Sequence, residues 1–244
     1  MPQSCFADRL GDMVELTEKE RAALDRLEER ERVLKRSNTL QRENDRANEI
    51  YILRKGTMMS SVLLHDGSRQ ILRFHFAGDL LAVSNIIYGD ATETITALTD
   101  CTVCPFERTA LSTVMLEHPR IAALILVYSQ IERAALTDRL AALGRTSAKA
   151  RVAAMLIEIR NRMRMLDRSV TTSFVLGLTQ EEIGDATGLT AVHVNRMLRQ
   201  LEDEGLIART AGRVEFLDER GLTRSANFVD RYAGLDLGWL PAER

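Results

Sequence analysis

The alternation of apolar and polar positions changes along the chain, and each stretch predicts a different structure. Between about Val33 and Phe106, short apolar runs such as IYILRKG and RQILRFHFAGD are separated by turn residues. Asp66 and Gly67 lie between two alternating runs. This is typical of a β-hairpin, because the turn needs a positive φ that glycine tolerates. Short strands at regular spacing predict an antiparallel sandwich or barrel.

Helical periodicity is found on both sides of these strands. Thr17 and Glu20 match a capping box, in which a hydroxyl and a carboxylate each accept a hydrogen bond from an N–H at the helix start. After Pro119, which suits a first helical turn, a long apolar run predicts a helix that ends near Gly144. A stripe along it at spacings of four and three predicts a dimer seam, with packing on its own domain as the alternative. The stripe consists of Leu124, Tyr128, Ile131, Ala135, Asp138 and Ala142.

The most informative segment runs from LTQEE to RVEFLD. Thr179 and Thr190 each predict the capped start of a helix, and Gly188 and Gly205 predict where those helices end. Two short strand-like runs around a Gly-Arg pair follow over residues 206–216. This order predicts a winged helix-turn-helix, with a small helical pair that serves only packing as the alternative.

If the second of these helices lies in a DNA major groove, its exposed N-terminal face must carry the base contacts. Arg196 is the strongest candidate, because its guanidinium fork matches guanine O6 and N7. The predicted base contacts are Ala191, Val192, His193, Asn195 and Arg196. Neighbouring polar and basic residues are predicted to contact phosphates, which position the protein without specifying sequence. They are Thr179, Gln180, Thr190, Arg199 and Arg213.

Composition narrows the class of protein. The 244 residues are 45% hydrophobic and 28% charged, as in globular proteins, and no apolar run approaches the roughly 20 residues of a membrane helix. The N-terminus lacks a secretion signal pattern, and three cysteines do not suit a disulfide framework. We therefore expect a cytoplasmic protein. A net charge of −2 argues against indiscriminate binding to polyanions but allows a local basic patch.

With these elements in this order, the chain resembles the Crp/Fnr superfamily of bacterial transcription regulators over roughly residues 15–220. The resemblance rests on three features: a sandwich with Gly56, Gly67 and the Gly78-Asp79 pair, the long helix after His118-Pro119, and LTQEEIGDATGLTAVHVNRMLRQLEDEGLI. It implies a homodimer on a palindromic DNA site, with RNA polymerase as a further partner of an activator.

The resemblance also implies an α+β fold in three parts. Residues 1–118 would form an antiparallel β-roll of the jelly-roll, cyclic-nucleotide-binding-like type with an N-terminal helix. Residues 119–144 would form a long dimerisation helix. Residues 145–244 would form a winged helix-turn-helix DNA-binding domain with a C-terminal tail.

Departures from the family bear on the effector. Members that respond to cyclic AMP hold its phosphate with an Arg-Ser pair and its ribose with a glutamate, whereas Ala91-Thr92 and Val83 stand at those positions here. A buried phosphate without its guanidinium loses charge-assisted hydrogen bonds, so cyclic AMP is not expected to bind. The remaining candidate effector pocket consists of Val83, Ala91, Thr92, Leu136 and Thr137.

Oxygen-sensing members hold an iron–sulfur cluster with four cysteines, most of them near the N-terminus, where this chain has Cys5 alone. Cys101 and Cys104 are three residues apart in a strand-like run, which places them on opposite faces. We therefore expect buried structural thiols and predict no cofactor and no metal site.

A further departure lies in the second helix of the helix-turn-helix. Val192 stands where both the cyclic-AMP-responsive and the oxygen-sensing members carry a glutamate, so the target half-site should differ at that base.

The sequence thus predicts a DNA-binding transcription regulator that is not an enzyme, has no membrane partner, and has an effector that is unidentified or absent. An effector would act by changing the geometry of the long helices around Gly144. Two alternatives stay open. One is a ligand-binding or interaction module without DNA binding. The other is a metal-dependent cupin-like enzyme, for which the strand region offers only His65 and His75.

Overall fold

The computed structural model describes residues 4–242, which divide into two compact units. The first unit contains the chain up to Val62, Arg73–Glu132 and the residues from Gly234 onward, and the second contains Leu63–Leu72 and Arg133–Ala233. The division falls inside the long helix, which the sequence analysis treated as a separate part. The α-helices are α1 (Cys5–Gly11), α2 (Glu18–Asp25), α3 (Arg108–Glu117), α4 (Pro119–Arg145), α5 (Ala148–Leu166), α6 (Gln180–Thr187), α7 (Ala191–Asp203) and α8 (Glu219–Ala226).

Two antiparallel sheets form the N-terminal half. Their strands are β1 (Arg32–Leu34), β2 (Thr39–Gln41), β3 (Glu49–Lys55), β4 (Met58–Leu63), β5 (Arg69–His75), β6 (Leu80–Leu81), β7 (Thr94–Ala97) and β8 (Cys101–Glu107). One sheet has the order β1-β8-β3-β6 and the other the order β2-β7-β4-β5. The predicted antiparallel sandwich is confirmed, and Gly67 in the β4–β5 hairpin has the expected positive φ of 83°.

Alternation along the strands separates two apolar clusters. Leu53 and Cys101 belong to the cluster between the two sheets, which also receives Met58 and Ile95 from the second sheet. Cys104 belongs to the other cluster, where the first sheet packs against α1, α2, α3 and the start of α4. The two cysteines therefore lie on opposite faces of β8, as their spacing predicts.

The helices of the N-terminal half are anchored by local hydrogen bonds. Thr17 and Glu20 form the predicted capping box of α2, and α1 begins at a capping serine, Ser4, whose hydroxyl accepts a hydrogen bond from the Ala7 N–H. Sequence reasoning did not find α1. Within residues 4–242, no single helix is both long and apolar enough to cross a membrane. Among these residues, only α3 and α4 taken together have the length and apolar composition of a membrane span, and a bend of 119° separates them.

Three of the six residues in the predicted dimer seam are buried within their own unit. Leu124, Tyr128 and Ile131 are 0%, 3% and 5% exposed in the single chain, which agrees with the alternative of packing on their own domain. Asp138 forms an ion pair with Arg231 through contacts of 2.6 and 2.7 Å. A helix packed on its own domain produces the same spacing of apolar residues as a helix pair, and the seam stays a prediction. Of the remaining seam residues, Ala135 and Ala142 are half-buried.

A glycine between β3 and β4 provides a test of the sandwich. Gly56 has a φ of +96°, and an added Cβ would lie 2.6 Å from both the Asp100 carbonyl oxygen and the Cys101 Sγ. We expect Gly56→Ala to lower the free energy of unfolding by about 2–4 kcal/mol, because positive φ and overpacking both oppose the methyl group. Gly67→Ala is the matched control, since φ is +83° but the space is open. Equal losses for the two variants in urea denaturation would contradict this account.

Candidate nucleic-acid interface

The first helix of the predicted helix-turn-helix is α6, and its ends are built as the sequence indicates. The Thr179 hydroxyl accepts a hydrogen bond from the Glu182 N–H at 3.1 Å, and the Glu182 carboxylate accepts one from the Thr179 N–H at 2.7 Å. Gly188 ends the helix in the left-handed conformation, with a φ of 67°. A Cβ at Gly184 would lie 2.4 Å from the Leu189 carbonyl oxygen, so the turn after α6 requires glycine at this position.

The second helix, α7, presents one face to its own domain and the other to solvent. The Thr190 hydroxyl caps it by accepting a hydrogen bond from the His193 N–H at 3.3 Å. The inward side chains are buried: Val194, Met197, Leu198 and Leu201. Of the predicted base-contact residues, Ala191, Val192 and Arg196 are exposed, and His193 and Asn195 are half-buried. All five lie at the N-terminal end of α7, and their base contacts stay predictions.

The wing is a three-stranded sheet rather than the predicted pair of strands. Its order is β10-β11-β9, where the strands are β9 (Ser173–Val175), β10 (Ile207–Thr210) and β11 (Arg213–Phe216). Ala211 and Gly212 form the β10–β11 turn, with φ values of 50° and 79°. Sequence reasoning missed β9 because three residues are too few to show alternation.

The predicted phosphate contacts occupy several surfaces of the second unit. Gln180 and Arg199 are exposed on α6 and α7. Arg213 lies on the wing, where its guanidinium donates hydrogen bonds of 3.3 and 3.1 Å to the Ser173 hydroxyl. The hydroxyls of Thr179 and Thr190 both accept helix-capping hydrogen bonds, so any bond to a phosphate would use their O–H as donor. Their phosphate contacts also stay predictions.

A buried arginine that sequence reasoning missed supports the wing from behind. Arg160 on α5 is 1% exposed. It pairs with Glu219 at the start of α8 and lies 5.0 Å from the centre of the Phe216 ring. The hydrogen bond from Arg160 lowers the pKa of the Glu219 carboxyl. Because α5 contains four arginines, no local pattern in the sequence distinguishes Arg160 from the others.

Comparison with known proteins supports this geometry. The cyclic nucleotide-binding domain family matches residues 31–118, and the Crp-like helix-turn-helix domain family matches residues 150–225. The fumarate and nitrate reduction regulatory protein of Escherichia coli (strain K12) is 27% identical over 206 residues, which are 84% of this chain and 82% of that protein. The chain belongs to the Crp/Fnr superfamily.

Solved structures agree with the assignment. The structure of FixK2 from Bradyrhizobium japonicum is similar with a TM-score of 0.69 and 27% identity, over 80% of this chain and 96% of that one. A CRP-family transcriptional regulator from Thermus thermophilus has a TM-score of 0.62 and 26% identity, again over 80% and 96%. The protein is a Crp/Fnr-type DNA-binding transcription regulator. Regulators of this superfamily bind DNA and work as dimers.

The residues predicted to form an effector pocket in this Crp/Fnr protein belong to both units. The Thr92 hydroxyl donates a 2.8 Å hydrogen bond to Ser84, next to Val83 at the start of a short 3₁₀ helix. Ala91 is buried, and its N–H donates to the Asp45 carbonyl at 2.8 Å. Leu136 and Thr137 are exposed and belong to the second unit. The pocket stays a prediction for all five residues.

Sequence reasoning missed a polar network inside the β-roll. Ser60 and His75 are 1% and 3% exposed, and the Ser60 hydroxyl lies 3.1 Å from His75 Nε2. The Glu93 carboxylate also forms a hydrogen bond with Ser60. His75 is therefore a packed strand residue. The available signal was a serine and a histidine at inward positions of strands β4 and β5.

A second group of charges lies beside this network and involves α4. The Arg73 guanidinium pairs with Glu132, lies 3.7 Å from the Asp79 carboxylate, and donates a 3.3 Å hydrogen bond to the Tyr128 hydroxyl. The Tyr128 hydroxyl in turn donates to Asp79 at 3.0 Å. Arg73 therefore already has carboxylate partners from the chain itself.

The three cysteines share one property, a thiol that favours its protonated form. Burial raises the pKa of the Cys104 thiol to about 11 and also raises the pKa values of Cys5 and Cys101. Metals bind the thiolate, which these shifts disfavour. Among residues 4–242, no group of three or more His, Cys, Asp and Glu side chains is arranged to hold a metal ion.

The Glu93 carboxyl gives a test of the network by pH. Burial raises its pKa above the usual 4.5, against the opposing effects of the Ser60 hydrogen bond and the Arg73 charge. The folded chain then binds this proton more tightly than the unfolded chain, so stability falls as pH rises from about 4.5 through the raised pKa. We expect Glu93→Gln to remove this fall and to raise the thermal midpoint at pH 7.5, since Gln keeps an oxygen for Ser60.

Thermal unfolding from pH 4.5 to pH 8 measures the effect. Glu29→Gln, at an exposed carboxylate, is the control and should follow the parent profile. A Glu93→Gln profile parallel to that of the parent would show that the carboxyl does not carry the shift.

Proposed function

We propose that this Crp/Fnr regulator binds a palindromic DNA site as a homodimer, with α7 of each protomer in the major groove. The observation that carries the proposal is the solvent-facing N-terminal part of α7. Val192 is 82% exposed there, while the side chains on the opposite side of the helix are buried in their own domain. A helix held from one side with a free, basic outer face suits insertion into a groove.

The side chains on this surface divide into two roles. The Arg196 guanidinium is the base reader, because its fork can pair with guanine O6 and N7. Arg199 and Arg213 are the phosphate partners on α7 and on the wing, and their positive charge draws the duplex to this surface. Gln180 opens α6, where a helix N-terminus offers N–H groups to a phosphate.

The dimer seam that suits this function lies on a different face of α4 from the one predicted. Leu126, Leu136 and Leu140 are 53%, 45% and 72% exposed. Their spacings of ten and four residues keep them on one face of the helix. This face lies on the other side of the helix from the predicted stripe, about 160° around its axis. Exposed leucines on one helix favour a second copy of the same helix as their partner.

The chemistry of the β-roll favours a regulator without a resident cofactor. The thiols have raised pKa values, and Arg73 is engaged with Glu132 and Asp79. The position aligned with the phosphate-binding arginine is Ala91. The proposal also includes RNA polymerase as the partner of an activating form and an effector that is unidentified or absent. It places the protein in the cytoplasm and gives it no enzymatic role.

The base-reading role is tested with Arg196→Ala. We expect this change to cost about 1–3 kcal/mol of binding and to relax discrimination at one guanine, because a bidentate contact is lost. Arg199→Ala is the matched control on the same helix. It should weaken all duplexes alike and reduce the slope of log affinity against log salt by about one. Specificity that survives Arg196→Ala unchanged would place the reader elsewhere.

The seam is tested with Leu140→Glu. We expect the dimer to weaken at least tenfold, about 1.4 kcal/mol, because a carboxylate without a partner would be buried in the seam. Sedimentation velocity measures the association. Leu116→Glu on α3 is the control, since Leu116 is 79% exposed and lies on a different helix. A Leu140→Glu protein that dimerises like the parent would exclude this face of α4.

A further inference from the structure

We propose that His193 is a positioning residue for DNA recognition, which holds the Arg196 guanidinium in a base-reading orientation and does not itself read a base. The inference rests on the proposed DNA-binding function and deepens it, because it names a second determinant of specificity. It also changes the role that sequence reasoning assigned to His193, which was a direct base contact.

The geometry that carries the inference is one hydrogen bond on α7. Arg196 Nη2 lies 3.0 Å from His193 Nε2, and the residues are three positions apart, so their side chains are neighbours on the helix surface. A guanidinium has only donors. In this hydrogen bond His193 Nε2 is therefore the acceptor, which corresponds to the tautomer with its N–H on Nδ1.

The histidine is the better fixed of the two partners. Its ring is half-buried, whereas Arg196 is exposed. Its own N–H is bound to the Thr190 hydroxyl in the capped first turn of α7. A long arginine side chain loses considerable rotamer freedom when it binds. Holding it beforehand against a fixed ring reduces that loss at the moment of recognition.

The other neighbours of Arg196 on the same face of α7 do not accept a hydrogen bond from its guanidinium. Val192, one turn earlier on the same face, has no acceptor, and Gln200, one turn later, donates its amide N–H to Glu204 at 3.1 Å. Within residues 4–242, His193 is the side chain that hydrogen-bonds the Arg196 guanidinium. The hydrogen bond to the His193 ring uses one of the five N–H donors of the Arg196 guanidinium. The other four are enough for a bidentate contact with guanine. This hydrogen bond also leaves the positive charge unpaired for the DNA.

The experiment uses the full chain and a palindromic duplex selected from a random library by the parent protein. Dissociation constants are measured by fluorescence anisotropy for this duplex and for versions with each base pair replaced in turn. We expect His193→Ala to lose about three- to tenfold in discrimination at the same base pair as Arg196→Ala. At the other base pairs, discrimination should be retained.

A double-mutant cycle and a rescue separate positioning from a structural role. In the Arg196→Ala background, His193→Ala should have no further effect at that base pair. His193→Gln should restore most of the discrimination, because its amide oxygen can accept from Arg196. Gln200→Ala, an exposed change on the same helix, is the control and should leave discrimination intact. Circular dichroism confirms that each variant is folded.

Three outcomes would overturn the inference. His193→Ala could weaken binding to every duplex equally, it could alter discrimination at a different base pair, or its effect could add to that of Arg196→Ala. The first indicates a structural role and the second a direct base contact, while the third shows that the two residues act independently. Failure of the parent protein to enrich any palindrome would instead overturn the proposed function itself, so the two failures are distinguishable.

Discussion

The close contact between α6 and the turn that follows it is the constraint on which the DNA-binding surface depends. A Cβ at Gly184 would lie 2.4 Å from the Leu189 carbonyl oxygen, so only glycine allows the chain to turn this sharply. The turn brings Thr190 to the start of α7, where its hydroxyl caps the helix, and the buried Val194 and Leu198 then fix the rotation of α7 about its axis. Packing below the helix therefore decides which side chains face solvent, and those side chains determine what is recognised.

The interior of the β-roll contains polar and charged groups as well as apolar side chains. Burying charged groups is costly unless they are paired and hydrogen-bonded, and here Arg73 has Asp79 and Glu132 as partners while Ser60 joins His75 to Glu93. The charge of Arg73 is therefore already balanced by carboxylates of the same unit. The polar groups of the interior thus pair with one another. This agrees with the presence of Ala91 where cyclic-AMP-responsive members have the arginine that binds phosphate.

The long helix illustrates how far periodicity can be trusted. Spacings of four and three identify residues that share a helix face, and Leu124, Tyr128 and Ile131 do share one buried face of α4. They do not identify what covers that face, because a neighbouring sheet and a second helix both require apolar side chains. Burial of Leu124 and Tyr128 within the chain's own unit moves the candidate seam to the face that carries Leu126 and Leu140. The pattern therefore identifies a helix face and leaves its partner open.

The sequence by itself determined the elements whose signals are local: the hairpin at Gly67, the capping boxes at Thr17 and Thr179, the helix-turn-helix and the opposite faces of Cys101 and Cys104. These follow from backbone preferences and from hydrogen bonds between residues only a few positions apart. Only the tertiary structure decided which face of α4 is free, that Arg160 supports the wing, and that Ser60, His75 and Glu93 meet inside the β-roll. Such contacts join residues distant in the chain, and their energies depend on burial and on partners that no local pattern encodes.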